Sequence, residues 1–313
     1  MDTRLRERAE EFLKTEDSFR TNAFKIICVM VKLLHKGPKQ FVDEMLQSIF
    51  FLGRINNPQY TPNDILGDDY EIMMNEKFPG PFESYERKLP KRTPFSCVLD
   101  MVASSFGPDE IQQKLSEIAT EIGNQDRSLR NTSSKEHKFT SSTICISESE
   151  ECYYGASMSC KGKIPGQIMI AVSCLHTWHY GVSNAVMTYK PDRNKRNNFD
   201  GTMQLPQCVK CQAFNVMSGE EMSPCKSCVD LFGLKTSAQS DKKRWAHGHC
   251  AEAESLSKLL YEEEEIEVAR VEDEMREQVM AEVTAHLEAN LRLSNFDWDS
   301  SYYTPQVIVR DDG

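Results

Sequence analysis

Two cysteine pairs, Cys208-Val-Lys-Cys211 and Cys225-Lys-Ser-Cys228, carry the most chemistry in this sequence. Each pair can close on one ion from a single tight turn, and four thiolates complete the tetrahedral shell that zinc prefers. Thirteen residues separate the pairs, among them the turn-like Gly219-Glu220-Glu221. That is the spacing of a zinc ribbon or knuckle. A closed shell of Cys208, Cys211, Cys225 and Cys228 predicts Zn2+ bound for structure, with no position left for water. A redox role for either CxxC is the competing use, but it leaves the paired spacing to coincidence.

A second constellation overlaps the first. Pro224-Cys225-Lys226-Ser227-Cys228 is a PCxxC motif, and Gly248-His249-Cys250-Ala251-Glu252 follows it. Together they resemble the metal site of the zinc-dependent cytidine deaminase superfamily, in which Cys-Ala-Glu or His-Ala-Glu at one helix start joins PCxxC at another. The two motifs stand here in the reverse of the family order, and the resemblance covers about residues 107–260. It implies Cys225, Cys228 and Cys250 as zinc ligands with an open fourth position. It also implies Glu252 as the proton shuttle between water and the base being deaminated. Cys208 and Cys211 are then spare, or hold a second ion with His247 or His249. The closed and open sites compete for the same ligands, and both expectations stand at this point.

Other candidates carry less. Cys174, His176 and His179 read as the end of a strand with aromatic packing, because 174 and 176 share a strand face and 179 does not. Lys190, Arg193, Lys195 and Arg196 form one basic segment and Lys242, Lys243 and Arg244 another, each with aromatic neighbours. Such segments are candidate nucleic-acid contacts, and solvated loops are the plainer alternative. No glycine-rich phosphate loop is present.

The elements that must position these residues form an α+β chain. Residues 1–56 are expected to be helical, with an apolar run from Ile26 to Leu34 and a further helix from Phe41 to Leu52. Residues 57–95, rich in Pro, Gly, Asn and Asp, read as an irregular connection with one short helix near Ile65–Met74. Residues 96–250 read as an α+β zinc-bearing domain. Its helix spans 107–122 on Ile111, Leu115, Ile118 and Ile122. Strands are expected at 143–146, 152–160, 167–175 and 184–189, giving a small central sheet. Residues 251–313 read as an acidic helical tail, with a long helix over 252–292, whole or interrupted.

The net charge of −11 is unevenly spread. Residues 251–313 hold 17 acidic and 5 basic side chains, and the first 250 hold 31 and 32. The body is therefore near neutral, and an acidic total does not exclude nucleic acid. The tail or the N-terminal helices are the expected surface for a protein partner, and no membrane association is expected. The early acidic residues do not read as a secretory signal. Eleven cysteines, an odd number, argue for reduced thiols or metal ligands and hence for cytoplasm or nucleus.

Overall fold

The computed structural model describes residues 17–123, 139–188, 203–235, 245–268 and 273–305. The chain is α+β, with many helices and one small antiparallel sheet. It divides into two units, residues 1–140 with 291–313, and residues 141–290.

The first unit is helical: α1 (Ser18–Leu33), α2 (Lys39–Arg54), α3 (Pro62–Leu66), α4 (Asp68–Lys77), α5 (Pro79–Ser84), α6 (Pro94–Ser105) and α7 (Pro108–Gly123). Asp17 starts α1 by accepting hydrogen bonds from the Phe19 and Arg20 amides, as an N-cap should. Helix α2 supplies the centre, with Met45, Leu46, Ile49, Phe50 and Phe51 fully buried. Helix α7 buries Ile111, Leu115, Ile118 and Ile122, the stripe read from the sequence. The segment read as an irregular connection with one short helix contains three, α3, α4 and α5. Its prolines fall at helix starts (Pro62, Pro79), where a missing N–H costs no hydrogen bond. Tyr303 closes the unit by donating its hydroxyl to the buried Asp43 carboxylate.

The second unit carries the sheet. Strands β1 (Thr143–Glu148), β2 (Cys152–Ala156), β3 (Lys210–Asn215) and β4 (Glu221–Met222) pair in the order β2-β1-β3-β4, antiparallel throughout. Around it lie α8 (Lys163–Val172), a π-helical turn (Ser173–Thr177), α9 (Tyr180–Thr188), α10 (Lys226–Phe232), α11 (Ala251–Glu262) and α12 (Asp273–Leu293). The residues of α12 up to Asn290 belong to this unit.

Two expected strands are helices. Residues 167–175 fall in α8 and the π-helical turn, and 184–188 fall in α9. A short apolar run has no period that separates a buried strand from a buried helix. Pro165 lies in the first turn of α8, where its missing N–H is harmless. The long helix expected over 252–292 is interrupted: α11 ends at Glu262, within the run Glu262–Glu265, and α12 begins at Asp273.

Helix α11 is the element that matters for chemistry. It lies across β2 and β1. Gly155 permits this: a methyl there would collide with the Ala251 carbonyl and the Ser255 amide of α11. Polar contacts fix the register. Glu254 accepts from the Ala156 amide (3.1 Å), and Lys258 donates to the Tyr154 carbonyl (2.8 Å). Ser255 meets Ser147 of β1 at 2.8 Å in a buried hydroxyl pair. We predict that Gly155→Ala lowers stability by about 1–3 kcal/mol through overpacking against backbone. Chemical denaturation checks this, and wild-type stability would mean that α11 is not pressed onto β2.

Candidate metal centre

The PCxxC segment turns into a helix as soon as it begins. Cys225 is the N-cap of α10 with extended backbone, and Cys228 lies in the first turn. Residues three apart on such a turn face the same side. Cys250 is the N-cap of α11, again extended. Its approach is fixed by the Met158 amide donating to the His249 carbonyl (2.9 Å) and by a turn at Gly248, whose φ of 79° suits glycine. The Ser227 hydroxyl donates to the Trp245 carbonyl (2.8 Å), tying α10 to the chain just ahead of Cys250.

These constraints bring the sulfurs of Cys225, Cys228 and Cys250 within 4.8 Å of one another. Cys225 Sγ is 3.7 Å from Cys228 Sγ and 3.5 Å from Cys250 Sγ. Three thiolates on a tetrahedral zinc at ~2.3 Å stand about 3.8 Å apart. The observed separations fit that edge and are far too long for a disulfide bond. The three cysteines can therefore hold a metal ion. The donor set is all thiolate, which suits a soft or borderline cation such as zinc.

Electrostatics point the same way. Cys225 is pulled down to about 2 by its hydrogen bonds with the Cys228 and Cys250 thiols, with help from the Ser227 and Cys228 amides. Cys228 and Cys250 are pushed up, first by sharing their protons with Cys225 and then by burial. One thiolate is thus sustained by hydrogen bonds, and ionising the other two calls for a cation.

Glu252, buried at 5% exposure, stands beside this cluster. Burial raises its carboxyl above the usual range, and the Cys225 charge adds to the rise. Hydrogen bonds from its own backbone amide and from the Cys228 thiol oppose it. Its charge also acts on Cys145 of β1, whose thiol is pushed up strongly, chiefly by burial.

Cys208 and Cys211 are not in the cluster. Cys208 is exposed in a turn ahead of β3, and Cys211 is inside the strand. An extended backbone cannot wrap two thiols around one ion as a tight turn can. Strand alternation instead places Cys211 Sγ 3.3 Å from Cys145 Sγ and 3.6 Å from the Ser147 hydroxyl. The closed four-cysteine grouping expected from spacing is thus not the one assembled among the described residues. His247 and His249 also lie outside the three-cysteine group. Cys145 and Ser255 flank the site without having carried any motif.

Cys174 is buried in the apolar cluster that also contains Cys225 and Cys228. His179 packs its ring on Tyr180 and Tyr261 (4.3 and 5.2 Å) and donates its amide to the Ser257 hydroxyl, a packing role. Lys190, Arg193, Lys195, Arg196, Lys242, Lys243 and Arg244 lie outside the described residues. No described helix is long and apolar enough to cross a membrane. Compared with protein-family profiles, with curated proteins and with solved structures, the chain shows no significant match to any.

The expected outcome for metal is one tightly bound zinc per chain. It should be lost in Cys225→Ser, Cys228→Ser or Cys250→Ser and kept in Cys208→Ser and Cys211→Ser, as read by elemental analysis. Because Cys228 and Cys250 must each give up a proton to bind, apparent affinity should rise about 100-fold per pH unit near neutrality and fall on acidification. Competition titrations with a chelator at several pH values measure that slope.

Proposed function

We propose that this protein is a zinc-dependent hydrolase of the deaminase type, acting on an amino-bearing nucleobase or nucleoside. The observation that carries the reading is a buried carboxyl, Glu252, beside three convergent thiols at the starts of two helices. Catalytic zinc sites keep three protein ligands and an open position, whereas structural sites are closed by four. The resemblance to the deaminase superfamily adds support, since it assigns the same three cysteines and the same glutamate.

Zinc in such a site supplies a Lewis acid that makes water nucleophilic near neutral pH. The chain's own residues divide the remaining work. Cys225, Cys228 and Cys250, at the starts of α10 and α11, would hold the ion. Glu252, two residues beyond Cys250, is not among the three groups that would hold the ion. It takes a proton from the attacking water and returns one to the amino group, which leaves as ammonia while the ring gains a carbonyl. Its raised proton affinity, set by burial, suits a group that must both accept and give up that proton. Strands β1 and β2 lie against α11, so the sheet sets where Glu252 stands.

A second reading keeps the metal and drops the chemistry. Zinc would then staple the start of α11 to α10, and the protein would act through protein partners at its N-terminal or C-terminal helices. The exposed Ile72 of α4 and Leu293 of α12, at 62% and 71%, favour such a surface. Nucleic-acid contact through the two basic segments belongs to the deaminase reading, and cytoplasmic or nuclear residence fits either.

Glu252→Gln separates the two readings. The deaminase reading expects full zinc content, an unchanged fold and a loss of ammonia release of at least about 100-fold. Release is measured on zinc-loaded protein with cytosine, cytidine, adenine and adenosine. Turnover equal to wild type would remove Glu252 from the chemistry, and no turnover by the wild type on any of the four would favour the staple.

A further inference from the structure

Two cysteines outside the metal centre meet each other in the sheet. Strand register sets Cys145 of β1 opposite Ala213, and Cys211 of β3 opposite Ser147. The two cysteines are therefore diagonal neighbours on one face. Their sulfurs stand 3.3 Å apart, whereas a disulfide needs ~2.05 Å. The two side chains together must close about 1.2 Å to form that bond. Neither thiol belongs to the metal centre, whose three sulfurs are those of Cys225, Cys228 and Cys250.

Their surroundings give the two thiols different parts. Cys145 is fully buried and Cys211 is half-buried. Cys208 is exposed in the turn that leads into β3, three residues ahead of Cys211. An oxidant arriving from solvent therefore meets Cys211 before Cys145. An accessible thiol with a resolving thiol beside it is the arrangement that oxidant-sensing cysteines use. The pair also lies at the foot of α11. The Ser147 hydroxyl is 3.6 Å from Cys211 Sγ and 2.8 Å from the Ser255 hydroxyl. Ser255 belongs to the helix that starts after Cys250 and carries Glu252.

We infer that Cys145 and Cys211 form a reversible oxidation site, closed to a disulfide by peroxide and reopened by thiol reductants. The Cys211 sulfur attacks one oxygen of hydrogen peroxide. The O–O bond breaks, a sulfenic acid forms and one water leaves. The Cys145 sulfur then attacks the Cys211 sulfur, the S–OH bond breaks and a second water leaves. Two thiols are oxidised by two electrons, and one peroxide is reduced to two waters. A reducing thiol reverses the bond by exchange. In a reducing compartment the pair rests open, as intracellular redox-sensing thiols do. The site is independent of the deaminase reading, because it needs neither zinc nor turnover. Its bond staples β1 to β3 where Ser147 supports α11, so oxidation is felt in the seat of Cys250 and Glu252.

The test treats the full zinc-loaded chain with stoichiometric hydrogen peroxide, blocks the remaining thiols by alkylation and maps the linkages by peptide mass spectrometry. The expected product is a Cys145–Cys211 disulfide, with zinc retained and both thiols restored by dithiothreitol. Cys208→Ser should leave that linkage intact. Cys145→Ser should leave Cys211 as a sulfenic acid that dimedone captures. The linkage map on the unsubstituted chain stands even where a variant does not fold. A Cys208–Cys211 disulfide would overturn the assignment, and so would a disulfide among Cys225, Cys228 and Cys250 with zinc released. Cys145 and Cys211 both remaining free thiols in excess peroxide would overturn it as well.

Discussion

The second unit depends on the seating of one helix on one strand pair. Helix α11 approaches β2 so closely that only a glycine fits at 155, against the backbone of Ala251 and Ser255. This contact places the N-terminus of α11 at a defined height over the sheet. Glu254 and Lys258 fasten it to strand backbone that would otherwise be an unpaired edge. Cys250 and Glu252 sit at that N-terminus, so their positions are inherited from the packing of α11 rather than from a flexible loop. A functional group carried on a packed helix is held more tightly than one on a loop.

The cysteine cluster imposes the second constraint. Three sulfurs within 4.8 Å, two of them buried, cannot all carry charge without a counter-ion, because burial penalises each charge and each repels the others. Without metal, the thiols share protons around Cys225. With a divalent cation, all three can ionise and the helix starts at 225 and 250 become linked. Folding and metal binding are then coupled at the junction of α10 and α11. Glu252, beside this cluster, is in surroundings that favour its protonated form.

Much of this was legible from residue types and spacing. The apolar stripe Ile111, Leu115, Ile118, Ile122 has one period and gave one helix. The alternating segments at 143–146 and 152–156 formed the β1–β2 hairpin. Cys225 and Cys228 stand three apart, and the structure carries them into the cluster on a helical turn. What sequence could not convey is set by distant partners. Residues 167–175 look like a strand because an apolar run satisfies either period, and packing beside α9 decided for helix. Cys208 and Cys211 have the same spacing as the other pair, but Cys211 was drawn into β3 by pairing with β1 across a separation of 64 residues from Ser147.

The central claim is that the metal centre has three sulfur ligands and an open position, which separates a reactive site from a structural staple. X-ray absorption at the zinc edge of the full-length, zinc-loaded protein tests it most directly. The account predicts three sulfurs at ~2.3 Å and one nitrogen or oxygen at ~2.0–2.2 Å. Four sulfurs at the longer distance would contradict it, and would return Cys208 or Cys211 to the metal as part of a closed structural site.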